Sequence, residues 1–346
     1  MIRRLKKNRA AMAAFWILAA LILLSVLGPL MTPYSYKEQM ISASGDYLKN
    51  MPPRIPFLKK LGIARGYMTL KDRRTDYLSD PARYPEGSVI RVFNERTASS
   101  GLSYCDVVVD YYRLRGVDED VNFWLGTDEL GRDLWTRLWR GTRISLLVAL
   151  VAVAADLVIG TVYGAFCGYY GGKTDLILMR VCEIIRSIPN VVICSLFIML
   201  FGTGIRTMIL ALAVRGWTQT AQIVRAEFLQ KKNSEFVLAS RVMGASDLRL
   251  IFTHILPNSV GPIITSGMMA VPSAIFTESF LAYIGLGIPA PEPSLGTLLS
   301  GAWSVLELYP TQTMFPAFTI SVLMIAFTLL ANGLRDVLDP SERGKN

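Results

Sequence analysis

The chain has 346 residues, 52% of them hydrophobic and only 18% charged, and its mean hydropathy is +0.38. Soluble proteins carry about 25% charged residues, so this balance sets aside an ordinary soluble fold and points to a membrane. The 36 Lys and Arg against 27 Asp and Glu leave a net charge of +9, while four scattered cysteines and the single His254 argue against a disulfide framework or a metal centre.

A helix needs about 20 mostly apolar residues to cross about 30 Å of hydrocarbon. Ala10–Met31 is the first such stretch, free of charge and preceded by Arg3, Arg4, Lys6, Lys7 and Arg9. Its length, and an end (GPLMTPY) without a small-residue cleavage pattern, favour a retained anchor over a signal peptide. Residues 32–143 follow without any span-length apolar run and are rich in early prolines, from Pro33 to Pro85. Within them Ser88–Phe93 and Cys105–Tyr112 are β-branched and aromatic and read as two strands of a small sheet; the alternative is an irregular loop packed on the membrane domain. The stretch ends in FWLGTDELGRDLWTRLWRGTRISL, where Leu134, Trp135, Leu138 and Trp139 recur at helical spacing beside Arg132 and Arg140. That pattern suits a helix lying at the membrane interface.

Five more spans are predicted: Ile144–Tyr169, Leu176–Phe201, Thr207–Val224, Val260–Leu286 and Thr313–Leu334. The fourth is the weakest, because Arg215 and the polar WTQTAQ stretch interrupt it. Lys and Arg in the short connections set the orientation. The basic N-terminus, Lys173, the basic set from Arg225 to Arg249 and the tail with Arg335, Arg343 and Lys345 fall on one side, read as cytoplasmic, with both termini there. The connection from Gly287 to Gln312 has neither Lys nor Arg and falls outside.

GYYGGKT, Gly168–Thr174, resembles a phosphate loop, but Cys167 stands where GxxxxGK[ST] requires its first glycine, and an apolar span precedes it. A tight turn on the cytoplasmic side fits better, so the chain is expected to bind no ATP itself. GxSxG, HExxH and CxxC are all missing from the sequence, which gives enzymatic activity and a metal site little support. Ionisable residues inside the spans, Asp156, Arg180, Glu183 and Glu278, are instead candidates for a water-filled translocation path; mutual neutralisation or contact with another subunit is the alternative.

The segment EFVLASRVMGASDLRLIFTHILPN, Glu235–Asn258, has helix-compatible residues to Val242, a stop at Gly244, a second helical piece from Ser246 or Asp247, and Pro257 opening the next span. Two short helices between spans make a protruding knob. Here the sequence resembles the permease subunits of binding-protein-dependent ABC importers, whose cytoplasmic motif is EAAxxxG, nine residues, then a hydrophobic residue, any residue and Leu-Pro. Ala239, Gly244, Leu256 and Pro257 match it; Leu238 replaces the Glu, Ser240 the second Ala, and His254 occupies the hydrophobic position. The stretches LGTDELGRDLWTRLWRGTRISL, GYYGGKTDLILMR, HILPN and ESFLAYIGLGIPAPEPSLGTLLSGA are similar to the oligopeptide, dipeptide and nickel subfamily, and to its second ("C"-type) permease. The likeness covers the first span and the chain from about Asn122 onward; the long first loop departs from it.

The resemblance fits an all-α polytopic membrane protein of six transmembrane helices with a cytoplasmic coupling helix; the long extracytoplasmic loop containing some β-structure is read from the residues and not from the resemblance. It divides the chain into 1–31, the N-terminus and first span; 32–143, the loop and interfacial helix; 144–334, a five-helix core with the coupling loop 225–257; and 335–346, the cytoplasmic tail. It implies a multi-pass protein of a bacterial or archaeal cell (inner) membrane, in contact with lipid and not with nucleic acid, paired with a homologous permease. Two cytosolic ATPase subunits would receive the knobs, and ATP and Mg would bind there and not in this chain. An extracytoplasmic substrate-binding protein would deliver the cargo. ATPase coupling would fall to Glu235, Ala239, Ser240, Gly244, Ala245, His254, Leu256 and Pro257, with the small Ala239 and Ser240 at the closest approach to the partner. Peptide is the expected cargo and nickel chelate the rival within the subfamily. A secondary transporter or channel, and a membrane-anchored enzyme or receptor, are the readings from other classes.

Overall fold

The structure is a computed structural model describing residues 8–338, apart from 43, 60–61 and 100. The basic residues Arg3, Arg4, Lys6 and Lys7 and the tail residues Arg343 and Lys345 lie outside the described residues, as do both termini.

Helix α1 is Arg9–Leu27, opened by Asn8, whose side chain accepts from the Ala11 amide, and followed by a 3₁₀ turn to Leu30. Beyond the loop come α2 (Leu134–Tyr170), α3 (Gly172–Ser187), α4 (Asn190–Phe201), α5 (Ile205–Lys231), α6 (Glu235–Val242), α7 (Val260–Leu281), α8 (Leu295–Trp303) and α9 (Pro310–Leu338). Among the described residues four stretches are long and apolar enough to cross a membrane: Arg9–Leu30, Leu134–Tyr170, Asp247–Leu286 and Pro310–Leu338; the bent pair α3 and α4 makes a fifth if taken as one span. Helix α5, with 27 residues, would reach about 40 Å but carries Arg206, Arg215 and Arg225.

Three departures from the sequence reading have plain causes. The interfacial helix and second span are one continuous helix, α2, because Asp133 caps it at Thr136 and nothing between Leu134 and Ile144 interrupts it. The third span breaks by 81° at Ile188–Pro189, since proline forbids helical backbone at its predecessor. The connection after Gly287 is not plain loop: Ser294 and Thr297 form a capping box that starts α8.

Helices α2 and α5 form the most intimate pair. Gly160, Gly164 and Gly168 stand four residues apart on one face of α2, and a β-carbon there would run into Trp217 and Thr220, Ala221 and Val224, and Arg225 and Phe228 in turn. Small residues at this spacing let two backbones meet where lipid supplies no hydrophobic drive. Helices α1, α2, α7, α8 and α9 share the main apolar core, built on Leu18, Leu138, Leu146, Ile275, Leu295 and Leu323.

The loop folds as a three-stranded antiparallel sheet of β1 (Tyr67–Arg74), β2 (Val89–Thr97) and β3 (Ser103–Asp110), in the order β1-β3-β2. The two expected strands do pair, although Tyr111 and Tyr112 belong to a short helix capped by Asp110. β1 escaped the sequence reading because YMTLKDRR is charged at its end and mostly exposed, as an edge strand can be. Val107 and Val109 of the central strand pack with Leu48, Met51, Tyr112 and Phe123 into a separate core.

The bundle therefore has two poles. At one lie the start of α1 beside the end of α9 (Asn8 donates to Asp336 at 3.5 Å), the start of α7 and the knob α6. At the other lie the sheet, the start of α2, α8 and the start of α9.

Candidate functional site

The knob is built as expected from Glu235 to Val242, and Gly244 then turns the chain at φ +87°. No described atom of this chain lies within 4 Å of where its β-carbon would be, so within the chain it is the positive φ that favours glycine here. Beneath α6, Val237 is fully buried against Ala165 and Tyr169 of α2, Val224 and Phe228 of α5, Ile263 of α7 and the π-helical Leu250, Ile251 and Ile255. Ala245 and Leu256 pack at the margin of this cluster. Polar contacts lock the same joint: the Tyr169 hydroxyl donates to Asp247 at 2.5 Å and accepts from Arg241 at 3.3 Å, while Lys232 donates to the Gly168 carbonyl at 3.1 Å.

The outward surface differs in kind. Phe236, Leu238, Val242 and Met243 are exposed, Val242 by 88% and Met243 by 80%, outside the span-length stretches, and Leu248 and Phe252 are exposed at the start of the Asp247–Leu286 stretch. Glu235, Ala239 and Pro257 are also exposed, and His254 is half-buried. Ser240 corrects the sequence reading: it is buried and donates to the Phe236 carbonyl at 2.8 Å, so of the two small residues Ala239 alone is on the outer surface. The exposed apolar residues that the motif did not pick out, Phe236, Val242 and Met243, were detectable as large apolar residues in a segment too polar to enter lipid.

Between α2, α5 and α7, beside the break separating α3 from α4, lies a cavity of about 450 Å³. Asp156, Arg186, Asn190, Arg215, Gln219 and Ser266 are among its lining residues. Asp156 is 7% exposed, its Oδ1 has no partner, and its carboxylate packs against Gly216, where any β-carbon would collide with it. Of the four charged residues expected to share a path, only Asp156 lines this cavity. Arg180 and Glu183 pair with each other at 2.6 Å on an exposed face of α3. Glu278 is fully buried elsewhere, where it accepts from Ser145 at 2.9 Å; the same hydroxyl accepts from the Leu295 amide at 3.1 Å, tying α2, α7 and α8 together. Arg215, which looked like a mere interruption of a span, belongs to the cavity wall; a charge inside a span is by default a functional signal.

The sheet pole is fastened by polar groups. Tyr36 donates to Glu292 at 2.6 Å, Arg140 pairs with Glu292 at 3.1 Å, and Arg137 donates to the Tyr36 carbonyl at 3.0 Å. Gln312 at the start of α9 donates to Asn50 and to the Thr127 carbonyl, at 2.8 and 3.1 Å. Burial alone would raise the Glu292 pKa, but Arg140 and the Tyr36 hydroxyl hold it below its ordinary value. Burial pushes Asp133, at the cap of α2, up to about 6.

Residues 160–344 match the family described as "Binding-protein-dependent transport system inner membrane component", and residues 1–53 match the "N-terminal TM domain of oligopeptide transport permease C". The chain is 37% identical to the dipeptide transport system permease protein DppC of Bacillus subtilis (strain 168), over 99% of this chain and 85% of the relative. It is 44% identical to the oligopeptide transport system permease protein OppC of the same organism, over 64% of this chain and 72% of the relative. Among solved structures, an inward-facing MetNI methionine ABC transporter aligns with 57% of this chain and 96% of its own at a TM-score of 0.46 and 18% identity.

Proposed function

The chain belongs to the family of binding-protein-dependent transport system inner membrane components, and from that premise we propose that it is the "C"-type permease subunit of an ABC importer that brings oligopeptides or dipeptides into the cell. The peptide names of both relatives favour this cargo over a nickel chelate. A second permease would complete the membrane unit, two cytosolic ATPases would bind ATP and Mg, and an extracytoplasmic binding protein would deliver peptide. In this reading the chain crosses a bacterial or archaeal cell (inner) membrane six times, with α3 and α4 as one bent crossing, α5 as another and both termini in the cytoplasm. The sheet then stands outside, where it meets the binding protein or caps the path.

The observation that carries the reading is the two-sided knob. Its inner side is keyed into α2, α5 and α7 through Val237, and its outer side presents unpartnered apolar residues. A rigid element with that construction turns a push from an ATPase groove into movement of three helices. Glu235, Ala239, Gly244, Ala245, His254, Leu256 and Pro257 serve it as contact, turn and hinge-margin residues, and Ser240 as an inner support. Asp156 faces the path.

Reconstitution of the complex in proteoliposomes tests this. Wild type should take up peptide with ATP, and vanadate should stop it. Val242→Asp with Met243→Asp should leave the permease in the membrane but release the ATPases, because each buried apolar anchor contributes about 1–3 kcal/mol. Gly244→Asp and Ala239→Glu should uncouple ATP hydrolysis from transport. ATP-independent uptake, or full coupling in all of these variants, refutes the reading.

A further inference from the structure

Three charged side chains reach the cavity between α2, α5 and α7: Asp156 from α2, Arg186 from the last turn of α3 and Arg215 from the middle of α5. Among the described residues none of the three forms an ion pair. Arg215 donates only to the Arg186 carbonyl, at 3.3 Å, and Arg186 reaches the neutral Gln222. The two guanidiniums thus share one stretch of wall without a carboxylate between them. Asp156 stands on another helix, its Oδ1 unpartnered although the residue is more than nine-tenths buried.

Arg186 is exposed and Arg215 half-buried, so both guanidiniums are open to an incoming anion, whereas the buried Asp156 is costly to keep charged unless something of matching charge visits it. The break at Ile188–Pro189 adds to the same wall, because Asn190, the first residue of the 12-residue α4, also lines the cavity. A helix start carries a partial positive charge that favours an anion. Arg guanidiniums match a carboxylate in shape and can bind it by two parallel hydrogen bonds. The volume of about 450 Å³ lies in the range of small-molecule sites. The rest of the lining, including Gln219, Ser266, Met269 and Ala270, is uncharged and mixed, which demands no particular side chain.

Resting on the peptide-importer reading above, we propose that this cavity is a transit site for the termini of the peptide, with Arg186 and Arg215 receiving the free C-terminal carboxylate and Asp156 the N-terminal ammonium. The site recognises what all unmodified peptides share and ignores what distinguishes them. The permease therefore checks for free ends independently of the binding protein.

The test uses the full complex in proteoliposomes, with binding protein supplied in excess and its affinity for each probe measured separately. The probes are trialanine, trialanine C-terminal amide and N-acetyl trialanine. Wild type should transport the free acid in preference to the amide beyond what binding-protein affinity explains. Arg186→Gln with Arg215→Gln should reduce that preference about tenfold, and Arg215→Lys should retain most of it. Asp156→Asn should reduce the preference for the free amine over the N-acetyl form and leave the acid-to-amide ratio unchanged. If the double variant does not reach the membrane, Arg215→Gln alone is read in its place. Equal transport of acid and amide by wild type, or an unchanged ratio in the arginine variants, overturns the proposal while leaving the importer reading intact. If wild type takes up no peptide at all, the importer reading itself fails, and the transit site falls with it.

Discussion

The knob pole and the sheet pole are attached to one helical bundle by opposite means. Under α6 the joint is an apolar cluster from three helices, with Val237, Phe228, Leu250, Ile251 and Ile255 fully buried. At the sheet pole the joint is a set of hydrogen bonds and ion pairs around Glu292, Asn50 and Gln312, several of them open to water. Close apolar packing resists deformation and passes displacement on. Exposed polar contacts are exchanged readily for water and are individually weak. The knob is thus packed as part of the helical bundle, while the sheet has its own core and is docked on it.

The largest effect expected from that contrast is at Val237. Val237→Asp places an unpaired carboxylate in a fully buried apolar joint, at a cost of about 4 kcal/mol. The knob should detach locally, with protease cleavage near Gly244 and loss of ATPase co-purification, while α1 and α9 stay folded. An intact, coupled complex would break the claim that this joint is a rigid key.

A smaller effect is expected from Tyr36→Phe combined with Glu292→Gln. Together they should weaken docking of the sheet by about 1–2 kcal/mol after allowance for solvent exposure. The sheet, with its separate core of Val107, Val109, Tyr112 and Phe123, should remain folded. Hydrogen exchange should rise around residues 34–37 and 291–293 and stay unchanged in β3. Simultaneous loosening of β3 would show that the sheet depends on the bundle for its folding.

The smallest effect is a pH dependence of the same clamp. The carboxyl of Glu292 is held below its ordinary value of 4.5 in the folded protein, so its contribution is present above that value and is lost as pH falls through the depressed one. Exchange at residues 34–37 should therefore rise as the pH is taken below 4.5, and should stay flat with pH in Glu292→Gln. An acid response that persists in that variant would assign it to another group.

Much of this molecule was legible in one dimension. Spans such as Arg9–Leu30 and Pro310–Leu338 are recorded in sequence because a lipid-facing helix must be apolar nearly all round, and that constraint acts on consecutive residues. The turn at Gly244 is equally local, since it arises from what a glycine backbone permits, whereas Pro257 sits inside the continuous helical stretch Asp247–Leu286 and does not break it. The 81° break at Pro189 could have been read the same way, but the apolar run on either side masked it.

Tertiary structure alone decided the rest. Nothing in the spacing of Val237 and Ser240 told which side of α6 would face inward, because that depends on where α2, α5 and α7 present Tyr169, Phe228 and Ile263. The glycine triplet of α2 acquired meaning only when Thr220, Val224 and Phe228 of α5 came to lie against it. Asp156, Arg186 and Arg215 are distant in sequence and meet at a cavity, while Arg180, Glu183 and Glu278, chosen by the same reasoning, go elsewhere. A charge in a span announces that it must be accommodated, since burying it unpaired is expensive. Which neighbours accommodate it is a property of helix packing, and packing joins residues that the linear chain keeps apart.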